Sequence, residues 1–189
     1  MKRLILILIL TLSFQSWTKA EDISDFEIEG ISIGDSLLDH FSEEVIQRRT
    51  LNYYKNKTIL PIYIQEDGKF TEYDGVQFHI NKKFKIIAIE GIIWFKNDFK
   101  GCQNKQKEID REFKSIFLNT DRSDTGIKNH DADKSGKSIY RSIYYEFKSK
   151  DKISIGCYDW AIEKKHPDNL RVGIISNELQ IWINTKAYK

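Results

Sequence analysis

The segment Asp131-Ala132-Asp133-Lys134-Ser135-Gly136 sets side-chain oxygens at positions one, three and five and glycine at six, as in the first half of a calcium-binding loop. Its second half departs from that chemistry. The twelfth position is Ser142, where a bidentate glutamate is required, the eighth is Ser138, and Lys134 and Lys137 bring positive charge into the loop. A polar turn holding no metal is the expectation. The four histidines, His40, His79, His130 and His166, lack the His-x-x-x-His spacing that puts two imidazoles on one helix face. His130 beside Asp131, with Ser135 or Ser138 nearby, supplies the residue types of an activated serine, so a hydrolase using the polar 118–137 loop is the alternative functional reading. Catalytic partners usually gather from different elements. One loop containing all three types does not specify a reaction, and no catalytic residue or cofactor is assigned.

Cys102 and Cys157 are the only cysteines. An even count in an exported chain favours one disulfide between them. The alternative is a reactive Cys102 at a helix start, where the helix dipole lowers a thiol pKa, but no second thiol or histidine stands beside it.

Aromatic residues make up 13% of the chain. Trp94 is expected in the core. Trp182, with Tyr158 or Trp160, is expected on an exposed sheet face, where aromatic side chains would anchor a binding partner.

The elements that must position these groups follow from punctuation and periodicity. Ser36 with Asp39 resembles a capping box, and Leu37, Leu38, Phe41, Val45 and Ile46 recur at helical spacing. Ser42 followed by Glu43 and Glu44 equally caps a second short helix, which allows a kinked pair in place of one rod. Residues 59–64, 76–80 and 86–95 read as strands, the last nearly all apolar and so buried on both faces. Residues 102–117 return to helical spacing. Residues 118–137 have no apolar period and read as a loop. Strands are expected around Ile139–Phe147 and Ile153–Cys157, and a closing hairpin from Leu170–Ile174, a Ser176-Asn177 turn and Leu179–Ile183. The order of elements repeats: Val76, Phe78, Ile80 and Ile86 lie over Ile143, Tyr145, Phe147 and Ile153 at a constant offset, which allows half-units 21–98 and 99–189. The expected class is α+β, with antiparallel sheet and two main helices.

At the N-terminus, Lys2 and Arg3 precede the apolar run Leu4–Phe14, and Thr18 and Ala20 are small enough to flank a cleavage site. This is the layout of an export signal over residues 1–20, and the run falls short of the ~20 apolar residues of a membrane span. Cleavage after Ala20 leaves residues 21–189 as a single mature domain; retention as an N-terminal anchor is the alternative. Residues 1–20 hold three of the 30 Lys+Arg and none of the 28 Asp+Glu, so the remainder carries 27 against 28, a net charge of −1. No basic excess remains for a nucleic-acid partner. A periplasmic or secreted location is expected, with no stable membrane span after signal removal.

The stretch Gly30-Ile31-Ser32-Ile33-Gly34-Asp35-Ser36-Leu37-Leu38 resembles the glycine-hydrophobic-x-x-glycine-x-serine helix start of the BamE family of outer-membrane assembly lipoproteins. The tandem helix-then-sheet order is similar to the beta-lactamase inhibitory protein fold. Both resemblances imply a non-enzymatic extracytoplasmic module that binds another protein, here one of the cell envelope. BamE-like proteins begin with a lipidated cysteine, which this chain lacks; the inhibitory fold bridges within its units, and Cys102 and Cys157 both fall in the second half-unit.

Overall fold

The structure, a computed structural model, describes residues 23–66 and 68–189. The export signal expected over residues 1–20 lies outside the described residues. After a small hairpin of β1 (Glu27–Ile28) and β2 (Ile31–Ser32), Ser36 caps a single 3-10 turn and Ser42 caps α1 (Glu43–Arg48), each hydroxyl accepting from a backbone N–H two or three residues on. Two competing caps six residues apart split the apolar run into the kinked pair.

The remaining strands are β3 (Ile59–Ile64), β4 (Gly75–Asn81), β5 (Ile86–Trp94), β6 (Asp121–Asp124), β7 (Lys128–Asn129), β8 (Ile139–Glu146), β9 (Lys152–Asp159) and β10 (Asn169–Ile175). Eight strands make one antiparallel sheet in the order β3-β4-β5-β10-β9-β8-β6, with β7 also on β8. With α2 (Phe99–Ile116) and α3 (Asn177–Thr185), the class is α+β, as the patterning predicts. The meanders β3-β4-β5 and β8-β9-β10 meet through β5 and β10, where Ile89 lies opposite Ile174. The sequence offset lays β4 on β8 and β5 on β9, whereas the sheet order relates β4 to β9 and β5 to β10.

Alternation along the strands gives the sheet two faces. The first carries Ile62, Val76, Phe78, Ile89, Ile143, Ile153, Ile155 and Val172, all buried, under α2 and the 23–48 segment. Phe113 meets Phe26 and Tyr145 edge-on there, and Phe117 meets Phe26 edge-on and Tyr145 at a tilt. The Cys102–Cys157 disulfide ties the first turn of α2 to β9, with the Cα atoms 5.9 Å apart. Asp98 caps α2 by accepting from Gly101 N, so this helix begins ahead of the apolar spacing that announces it.

Three expectations change. Residues 177–185 form α3 and not a strand: Ser176 Oγ accepts from Leu179 N as an N-cap, and Leu179, Trp182 and Ile183 satisfy the helical i, i+3, i+4 spacing as well as residues 179, 181 and 183 satisfy alternation. The 118–137 segment contains β6 and β7, which are exposed edge strands and so carry no apolar alternation. Trp94 is half-buried on the second face, beside Tyr63, and does not enter the core. Among the described residues, no helix is long and apolar enough to cross a membrane.

Candidate functional site: the second face of the sheet

One end of the second face is closed by α3 and the segment before β3, where Tyr54, Ile59, Ile87, Leu179 and Trp182 form a separate core. Trp182 stands in α3, only 6% exposed, with Nε1 donating to Thr58 Oγ1 at 2.8 Å and its ring edge-on to Tyr54. Its predicted place on an exposed sheet face is therefore corrected, because the closing hairpin that put it there is a helix whose inner side it fills.

The rest of this face is open, and it gathers Tyr158 and Trp160. Tyr158 projects from β9 and lies over Gly156, where a Cβ would fall 2.8 Å from a ring carbon. Only glycine leaves that room. Tyr140, directly opposite in β8, has its ring within 16° of parallel to Tyr158 with centroids 6.0 Å apart, and Trp160 continues the row at 12° and 6.3 Å. Trp160 follows β9, and its backbone N–H donates to Asp168 Oδ1 at 2.7 Å while Asp168 Oδ2 accepts from Asn97 N. That buried carboxylate sets the chain direction after β9. His130 and His166 flank the Trp160 ring at 4.3 and 5.0 Å.

Beside the rings run Glu90 of β5 and Arg171 of β10, joined Nη1 to Oε2 at 3.3 Å, with Arg171 Nε donating to Asn169 Oδ1. Glu90 lies across Gly173, the residue opposite it in the register. Gln77, the partner of Glu90 in β4, donates to the Tyr53 hydroxyl at 3.0 Å. These groups, with Tyr188, line a cleft of about 530 Å³. Its size falls within the ~300–1,000 Å³ usual for ligand sites. A groove of about 590 Å³ beside α3, lined by Ile59, Ile181 and Trp182, has no comparable set of converging rings and paired charges.

Burial sets the protonation of the cleft. It pushes the Tyr53 and Tyr158 hydroxyls up to about 12, so both remain hydrogen-bond donors at neutral pH. It pushes His130 down, with Asp131 and Asp133 opposing. Behind the Tyr53 wall, burial holds His79 at about 4, and its Nε2 sits 3.2 Å from the Tyr54 hydroxyl.

No protein-family model, curated protein or solved structure matches the chain. The chemistry rests on the cleft's own groups.

The groups of the alternative hydrolase reading are also nearby, but they are committed elsewhere. Asp133 accepts from the hydroxyls and backbone N–H groups of both Ser135 and Ser138, and Lys164 Nζ is 3.4 Å from it. The serine protons thus point at Asp133 and not at His130, whose Nδ1 takes the Ala132 N–H at 3.2 Å. The same bonds occupy the carboxylate that would have been the third-position ligand of a calcium loop. Among the described residues, no cluster of three metal-ligating side chains occurs. Sequence reasoning names Tyr158 and Trp160 but not Glu90 and Arg171, which are far apart in the chain and meet only through the β5–β10 register.

Proposed function

We propose that the chain is an exported, non-enzymatic module that associates with the cell envelope and binds its partner in the cleft on the second face of the sheet. One observation carries this reading: Tyr158, Trp160 and His130 converge with the Glu90–Arg171 pair in one cleft on the second face of the sheet. Aromatic rings and arginine are the side chains that dominate binding energy at recognition surfaces. The disulfide supports an oxidising compartment, and the leader composition supports the route there.

Co-sedimentation of the processed protein with envelopes from the native host tests the proposal. Wild type is expected to pellet with the envelopes, and Trp160→Ala is expected to lose most of that retention. Equal retention of the variant, or none for wild type, overturns it.

A further inference from the structure

Resting on the reading of the cleft as the binding face, we infer that its ligand is a neutral pyranose unit of a glycan. The cleft offers two kinds of contact side by side. Trp160 and Tyr158 line it with partly exposed rings within 12° of parallel and centroids 6.3 Å apart, which supply its apolar contact. Alongside them, Glu90 and Arg171 hold each other through one carboxylate oxygen and one guanidinium nitrogen, and Glu90 Oε1 and Arg171 Nη2 have no protein partner among the described residues. One side of the site therefore needs a donor and the adjacent position needs an acceptor. Two neighbouring hydroxyls of a pyranose supply both: one donates to Glu90 and the other accepts from Arg171, while the C–H face of the ring packs on Trp160 and Tyr158.

Charge selects among ligands that could do this. Glu90 and Arg171 cancel, burial holds down the protonation of His130, and the Tyr158 hydroxyl stays neutral. The one arginine of the cleft is already paired with Glu90, and residues 21–189 carry net −1, which disfavours a polyanion such as a nucleic acid. The volume of about 530 Å³ is enough for a small unit or one residue of a polymer.

Titration of the processed protein with chitotetraose, cellotetraose and maltotetraose, read by tryptophan fluorescence, is the test, with pelleting on purified peptidoglycan sacculi as a second arm. At least one saccharide or the sacculi are expected to bind saturably. Trp160→Ala and Glu90→Gln are each expected to weaken that binding about tenfold or more, the scale of one lost stacking contact or one charge-assisted hydrogen bond. Glu90→Gln keeps the shape of the side chain, so a folding defect in the tryptophan variant leaves the test standing. Ile181→Ala, in the groove beside α3, is expected to bind as wild type does. Binding of soluble tetrasaccharides alone assigns a free saccharide, and binding to sacculi assigns an envelope polymer. No saturable signal in either arm, or the same affinity in both cleft variants, overturns the glycan. Envelope retention that needs Trp160 and disappears after protease treatment of the envelopes, with no saccharide signal, also overturns it and leaves the binding face in place with a protein partner.

Discussion

Reduction of the Cys102–Cys157 bond is expected to cost about 4 kcal/mol of stability. The bond closes a loop of 55 residues. In the chain-entropy description, releasing such a loop returns about 4 kcal/mol of conformational freedom to the unfolded chain, inside the usual 2–5 kcal/mol for a native disulfide. Cys102 and Cys157 are 1% and 0% exposed, so dithiothreitol reaches their bond only after unfolding. Reduction in urea followed by refolding by dilution therefore gives the comparison. Equilibrium urea unfolding of oxidised and reduced protein, followed by tryptophan fluorescence, should show the midpoint falling by about 2 M, taking a slope of about 2 kcal/mol/M. The slope itself should rise, because the unlinked denatured chain exposes more surface. Reduced wild type is a better comparison than Cys102→Ala with Cys157→Ala, since both side chains fill core space and truncation adds a cavity cost. Coincident unfolding curves for the two forms would refute the claim that this bond stabilises the attachment of α2 to β9.

Asp110 is the one buried carboxylate of α2, 8% exposed at its side chain, and it accepts from Arg122 at 2.7 and 2.9 Å, Tyr145 at 2.6 Å and Lys114 at 2.9 Å. Burial alone would raise its pKa, but Arg122, Tyr145 and Lys114 outweigh burial and hold it well below the usual carboxylate range. Asp110→Asn is expected to cost about 3 kcal/mol in urea unfolding at pH 7, and the gap from wild type should close as pH falls below about 4, where the unfolded chain takes up the proton first. His79 works the other way: the unfolded chain binds a proton at the ordinary 6.5 and the folded chain only at about 4. Stability should therefore fall between pH 6.5 and 4 by an amount on the order of 3 kcal/mol, and His79→Gln should flatten that slope in acid titrations. Ser176→Ala removes the cap of α3 and should cost about 1 kcal/mol, measured as a lower melting temperature.

The strands at the centre of the sheet are legible because one face must be greasy at every second position. Residues 76–80, 139–147 and 153–157 keep that rhythm and stand where it predicts. The elements it misses are those in which burial does not set the rhythm. In β6, all four residues are exposed, and its Arg122 is recruited by a carboxylate of α2 and not by the core. In α3, nine residues fit two periods equally, and the serine hydroxyl decides between them. The site shows the same division. Tyr158 and Trp160 are visible as aromatics in and just after an alternating strand, whereas Glu90 and Arg171 lie 81 residues apart and come together through strand register alone. Register follows from packing the whole sheet, which no local window contains.

The most direct measurement on the cleft is a backbone and indole NMR spectrum of isotope-labelled protein, residues 21–189, as soluble envelope fragments from the native host are added. The shifts should change at Glu90, His130, Tyr158, Trp160 and Arg171 and stay fixed across α2. Changes confined to α2, or to the α3 groove around Ile181, with the Trp160 indole signal unmoved, would contradict the assignment of the second face as the surface that binds.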